Sequence, residues 1–214
     1  LYGVKAVEVS EGVSGPYCGK LLAAMGAEVI KIEMPPNGDF TRSIGPLLSG
    51  KEDLENSALF LHNNTGKKSV LLDWSTASGS KALDSILSGA DIFIEDWDST
   101  YRETTGIDRE RFTSSHPELI EICITPFGLD GPYSHWKSAP IVQFALGGIM
   151  NIIGDPKSGP LMIPGHHPEY LTGINGCNAS MIALWERDFS GNGAFLELSE
   201  LETLANVHQA PLNM

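Results

Sequence analysis

Apolar and polar positions along the chain switch repeatedly between a period of two and a period near 3.6. VKAVEVS (residues 4–10) alternates and is rich in Val, which predicts a strand. GPYCGKLLAAMG (15–26) spaces its apolar residues as a helix does, with Pro16 suited to the first helical position and Gly26 to the C-cap. AEVIKIE (27–33) predicts a second strand and completes a βαβ unit. The rhythm continues with strands over 68–73, 91–96, 118–125 and 194–199, and helices over 76–90, 139–150, 169–188 and 200–208. Strands alternating with helices imply an α/β fold whose mainly parallel sheet is covered on both faces. Residues 34–66 and 126–138, rich in Gly, Pro, Asn and Asp, read as loops.

The chain's 214 residues suffice for one large domain with a real core. With 42% hydrophobic and 19% charged residues, the composition is that of a folded globular protein rather than a disordered one. No apolar run is long enough to cross a bilayer. The net charge of −13 argues against nucleic acid and anionic membrane as partners, since both require a basic face. A phosphate-bearing ligand would have to be held by a local basic group or a helix end. Cys18, Cys123 and Cys177 are an odd set, far apart and without CxxC spacing, as expected of reduced, buried thiols in a cytoplasmic protein. The missing initial Met, and an end soon after a new helical pattern begins, are expected of a fragment or trimmed domain.

Two turns carry candidate chemistry. The first βα turn, SEGVSGPYCG, places glycines at 12, 15 and 19, which fits neither the dinucleotide nor the P-loop spacing. A helix N-terminus there still offers free N–H groups to an anion, and a simple tight turn is the alternative. The second turn is GHHPEYLTG (165–173). Pro168 suits the first helical position and Glu169 the second, where a carboxylate stabilises the helix by about 0.3–1 kcal/mol through its dipole. His166 and His167 beside Glu169 suggest a metal site. Adjacent side chains point apart and no third ligand is evident, so no metal is expected.

LYGVKAVEVSEGVSGPYCGKLLAAMGAEVIKIEMPPNGD, followed in order by NNTGKKSVLLDW, ADIFIEDW, HPELIEICITPFGLDGPY, ALGGIM and ALWERDFSGNGAFLELSELETL, resembles the class III CoA-transferase family along essentially the whole chain. The resemblance implies a Rossmann-like large domain, with residues 1–200 forming its N-terminal part and 201–214 starting a helix toward a missing small domain. It implies subunits threaded as interlocked rings, in a homodimer or a heterodimer with a related subunit. It implies transfer of CoA from an acyl-CoA to a carboxylic acid through a mixed anhydride on an enzyme carboxylate. Aligned on Thr172 and Gly173, that carboxylate is Glu169, one methylene longer than the family's aspartate and so reaching about 1.5 Å further. CoA contacts carry over to Val13, Ser14, Leu72, Asp96, Trp97 and Lys137. Asp96 stands where the family commonly has Asn, Met34 replaces a basic residue, and Arg102 is the nearest match to an out-of-register arginine. Two alternatives remain. One is a non-catalytic subunit paired with an active relative. The other is an acyl-CoA racemase, disfavoured because the positions of the racemase His-Asp pair are Ala139 and Pro140, with His135 four residues earlier.

Overall fold

The computed structural model describes residues 1–48, 50, 53–109, 111–155 and 157–207. Within them the alternating runs form six strands: β1 (Lys5–Glu8), β2 (Glu28–Glu33), β3 (Lys68–Leu71), β4 (Ile92–Glu95), β5 (Ile120–Thr125) and β6 (Ala194–Ser199). All pair in parallel, in the order β3-β2-β1-β4-β5-β6. Parallel neighbours need crossovers. The connecting segments contain α1 (Ser14–Ala24), α2 (Ala58–Asn63), α3 (Ala77–Leu87), α4 (Ser99–Thr105), α5 (Arg111–Ser115), α6 (Pro140–Leu146) and α7 (His167–Ser190), with α8 (Glu200–Val207) after the last strand. This is the doubly wound, Rossmann-like arrangement. The strand order reverses between β1 and β4, so the loops leaving these two strands diverge and open a crevice at their carboxyl ends.

The expected strands and helices are all present, with shifted ends. The first helix begins at Ser14, so Pro16 is its third residue rather than its first, and Gly26 adopts φ +99° just beyond the C-cap Met25. The helix expected over 139–150 splits into α6 and a 3-10 turn over Ile149–Asn151. The expected loop 34–66 contains a 3-10 turn (Phe40–Ser43) and α2, and α4 and α5 lie between strands where no helix was expected. Of the helix expected to 208 and the segment 201–214, residues 208–214 lie outside the described residues.

Each sheet face carries its own core. On one, Cys18 and Leu22 of α1 and Cys177 and Leu184 of α7 cover Ala6, Ile94, Ile122 and Ile124. On the other, Leu83, Leu87 and Phe112 cover Val7, Ile32 and Phe93. Helices α1 and α7 approach closely because α7 lacks side chains where they meet. A Cβ at Gly173 would lie 2.7 Å from the Ser14 carbonyl oxygen, and one at Gly176 would lie 3.3 Å from the Cys18 sulfur. This contact brings the N-termini of both helices to the same edge of the sheet.

Charged residues occupy interior positions beneath that edge. Glu8, fully buried in β1, accepts from Lys31 of β2 (2.9 Å) and from Lys67 just before β3 (2.7 Å). Lys31 also donates to the Ser10 carbonyl at 2.7 Å and pairs with Asp39 at 2.9 Å. Burial alone would lower the pKa of Lys31, but Glu8 and Asp39 outweigh it and hold the ammonium above its usual range. Lys67 is lowered to about 8, because burial there outweighs Glu8. Nearby, Arg42 grips Glu33 with two bonds of 2.7 and 2.9 Å and lies over the Phe60 ring, which fixes the segment after β2.

Removing one partner from such a buried group strands its counter-charge. Lys31→Met is expected to destabilise the protein by about 3–5 kcal/mol in urea unfolding. A loss below about 1 kcal/mol would show that the network does not hold these loops.

Candidate functional site

The crevice predicted by the strand order holds the candidate site. The loops leaving β1 and β4 are tied by one bond, from the Glu11 N–H to Asp96 Oδ2 at 2.8 Å. Gly12 follows at φ +79°, a turn that favours glycine, and donates its N–H to Asp39 Oδ1 at 3.3 Å. Beside them opens a cleft of about 470 Å³. Val13 and Ser14, Phe40 and Ile44, and Ala139 and Pro140 form much of its wall. Among the described residues, five helices begin at this cleft: α1 at Ser14, α4 after its N-cap Asp98, α6 at Pro140, α7 after its N-cap His166 and α8 at Glu200. The long helices α1 and α7 bring the positive ends of their dipoles, whereas the Leu201 and Glu202 N–H groups of α8 are taken by the Pro126 carbonyl and Ser199 Oγ.

Glu169 is the third residue of α7, counted from the N-cap His166, one place later than the sequence pattern implied. Its Oε1 lies 3.1 Å from His166 Nδ1. Its Oε2 is buried and has no hydrogen-bond partner, although the side chain lines the cleft and is 15% exposed. Leaving a buried polar oxygen unsatisfied costs about 1–3 kcal/mol, so such an atom calls for an explanation. Thr172, one turn on, donates to the Pro168 carbonyl, and Gly173 gives the closest approach to α1. The backbone under Glu169 is therefore packed tightly in place.

Four more carboxyl groups line the cleft: Glu11, Asp96, Asp98 and Glu200. No Lys or Arg lines it among the described residues. Asp96 is half-buried, and burial, together with the charges of Glu95 and Glu11, pushes its pKa up to about 8 despite the Glu11 N–H. Glu11 is raised by burial and by Asp39. Glu200 is buried, accepts from Ser14 Oγ at 2.5 Å, and is pushed up to about 7 by burial, with the Glu169 charge adding to the rise.

Of the residues carried over from the resemblance, Val13, Ser14, Asp96 and Glu169 meet at this cleft. Trp97 faces an adjoining groove of about 330 Å³ that shares Glu11, Asp96 and Asp98 with the cleft and includes Met34. Only 4% of Trp97 is exposed, and its ring stacks on Tyr101, so its face is taken by the core. Leu72 packs beside the core beyond the end of β3 and lines neither hollow. Lys137 is exposed, one residue before Ser138 of the cleft wall. Arg102 points elsewhere, bonding Glu95 at 2.5 Å and the Trp97 carbonyl at 3.1 Å. His135 contacts Thr100 and Glu103. The sequence reading missed Glu200 and the His166–Glu169 contact. Glu200 directly follows a strand and opens a helix, so it reads as an ordinary helix-start acid. Only the convergence of α8 with α1 and α7 makes it part of a site.

The sequence profile of CoA-transferase family III matches residues 1–214. The chain is 33% identical over 209 residues to a succinate–glutarate CoA-transferase of Agrobacterium fabrum, covering 97% of this chain and 52% of that protein. It is 28% identical over 206 residues to the succinyl-CoA–L-malate CoA-transferase beta subunit of Chloroflexus aurantiacus, covering 95% and 50% respectively. A solved CAIB/BAIF family protein from Brucella suis superposes with a TM-score of 0.89 at 31% identity, over 99% of this chain and 56% of that one. The chain thus spans about half the length of the curated relatives it matches.

The raised pKa of Asp96 sets a pH dependence. The folded protein holds this proton more tightly than the unfolded chain, so Asp96 stabilises the fold fully below about pH 4, and this contribution is lost as pH rises toward 8. Asp96→Asn keeps an acceptor for the Glu11 N–H and should escape that loss. Urea midpoints are expected to favour the variant increasingly from about pH 5 to about pH 8. The slope is at most about 1.4 kcal/mol per pH unit, reduced because part of the carboxyl faces solvent. A wild type more stable than the variant at pH 8 would contradict this.

Proposed function

The chain belongs to CoA-transferase family III, and from that premise we propose that the whole protein moves CoA between carboxylic acids with Glu169 as the acyl carrier. The observation that carries this reading is the buried, unpartnered Oε2 of Glu169, set in the first turn of α7 where the cleft opens. In the proposed sequence the Glu169 carboxylate attacks the thioester carbonyl of a bound acyl-CoA. The C–S bond breaks, an acyl-glutamyl anhydride forms, and CoA-thiolate leaves. The thiolate attacks the glutamyl carbonyl, releases the first acid and leaves CoA on Glu169. The acceptor carboxylate and the thiolate then repeat the two steps in reverse order. A carboxylate is a modest nucleophile, so the rate depends on holding it against the thioester. The N–H groups of α1 and α7 support such a role by stabilising negative charge at the cleft.

Acyl-CoA and a carboxylic acid are the substrates in this reading. Succinyl-CoA is the donor to try first, because relatives are named for succinate and succinyl-CoA. Ser14, Val13 and Asp96 would border the thioester end. Trp97 would meet CoA by an edge, Lys137 would meet phosphate from the rim, and Leu72 would lie outside the contact. The rest of the relatives' length fits a small domain and an interlocked dimer in the cytoplasm, with residues 201–214 leading toward that domain. The second reading, a non-catalytic partner of an active subunit, is favoured by Met34 and Asp96 at CoA positions and by a relative named as a beta subunit. Racemisation is not favoured by Ala139 and Pro140, which line the cleft and carry no proton.

Incubating the full-length protein with succinyl-CoA, alone and with any related subunit, separates the two leading readings. Carrier chemistry is expected to leave a hydroxylamine-sensitive adduct on Glu169, and Glu169→Ala should lower transfer by about 10³-fold or more. A scaffold role predicts no adduct and a stability loss of about 1 kcal/mol for the same variant. An unmodified peptide 165–187 during active transfer would rule Glu169 out.

A further inference from the structure

Glu200 is a second buried carboxyl in the cleft, and the mechanism above leaves it unused. Resting on that mechanism, we propose that Glu200 is a positioning residue for CoA transfer. As a neutral acid bonded to Ser14, it leaves the meeting point of the helix ends free of a second negative charge beside Glu169, so that an anionic acceptor can approach.

The geometry supports this assignment. Glu200 is 8% exposed yet lines the same cleft as Glu169. Its Oε1 accepts from Ser14 Oγ, which leaves Oε2 to hold the proton. The titratable groups that share the cleft with Glu200 are Glu11, Asp96 and Asp98 from the loops after β1 and β4, and His166 and Glu169 at the start of α7. From α7 comes Glu169, with His166 at its Oε1. Ser14 of α1 and Ala139 and Pro140 at the start of α6 carry no charge. Also on α7, Asn175 approaches Thr203 of α8. Glu197 of β6 is turned to Arg109 at 3.2 Å. Among the described residues no cation therefore compensates an ionised Glu200, in contrast to Glu8, which has two. Of the five cleft acids, Glu169 has the histidine, Asp96 has the Glu11 N–H, and Glu200 has only a hydroxyl. Burial pushes Glu200 up to about 7, so the proton is present on the acid side of neutrality and absent above it. Once ionised, Glu200 repels the acceptor carboxylate, and the loss falls on the KM for the acceptor.

The test uses the full-length protein with succinyl-CoA as donor and glutarate as acceptor. In wild type, kcat/KM for glutarate is expected to fall about tenfold between about pH 6 and about pH 8, the fall residing in KM. Glu200→Gln, a neutral isostere, should flatten that profile to less than about twofold. Ser14→Ala removes the bond that favours ionised Glu200, so the midpoint of the fall should move to higher pH. A purely structural role would leave the profile's shape unchanged in both variants, and that result would overturn the proposal. Infrared titration reads the proton without turnover. Wild type is expected to lose a carboxylic-acid carbonyl band near neutrality that Glu200→Gln lacks. Absence of that band overturns the proposal even if the protein transfers CoA. If the band is present but wild type transfers CoA to no acid, the reading of the protein as a transferase fails instead, and the role of Glu200 in transfer falls with it.

Discussion

One buried carboxylate, Glu8, organises the working edge of this protein. Held by Lys31 and Lys67, it joins the end of β1 to the interior of β2 and to the residue that precedes β3. Lys31 then reaches the Ser10 carbonyl and Asp39, so the loop after β1 and the segment after β2 share one cation. Asp39 in turn receives N–H groups from Gly12 and Thr41. A sheet of this size does not need ions in its core for stability, and apolar replacements of similar volume are often as good. What the ions supply is placement. Lys31 ties the loop after β1 to the segment after β2, and Lys67 donates to the Pro16 carbonyl in the first turn of α1.

In the proposed transfer reaction the cleft above that network receives anions in an acidic protein. The chain carries a net charge of −13, and the residues carried over as phosphate contacts contribute little. Arg102 is occupied by Glu95 and Glu121, and position 34 is a methionine. In that reading the help comes from backbone: the N-termini of α1 and α7 lie at one hollow, and oriented N–H groups act on charge without needing reorganisation. Among the acids around it, Asp96 and Glu200 are raised chiefly by burial.

How much of this was legible in the sequence follows from the range of each interaction. The six strands are written in local patterns, such as Val-rich alternation in 4–10 and the apolar run of 118–125, so strand number and the parallel class were visible. The ends were not: β3 ends at Leu71, although the Leu72 N–H still bonds the Glu33 carbonyl of β2. Helices α2, α4 and α5 have five to seven residues and no full amphipathic period, so periodicity could not show them. Glu169 was legible only through its resemblance to a family motif, since a helix-start acid looks the same in any protein. Glu200 lies 186 residues from its partner Ser14, and nothing local marks it. Trp97 shows the converse. Its aromatic character suggested a stacking surface, but Trp74 and Phe112, distant in sequence, together with Phe93 and Tyr101, four residues away on either side, fill the space around it.

The central claim is that the acyl group passes through Glu169 itself. Oxygen tracing tests it most directly. A single turnover of the full-length protein with unlabelled succinyl-CoA and an acceptor carrying ¹⁸O in both carboxylate oxygens should leave one heavy oxygen in the peptide that contains Glu169. The released succinate should carry none, because its new oxygen comes from the unlabelled enzyme carboxylate. Heavy oxygen in the succinate, with none in the peptide, would mean that the acceptor attacks the thioester directly, and would contradict the account.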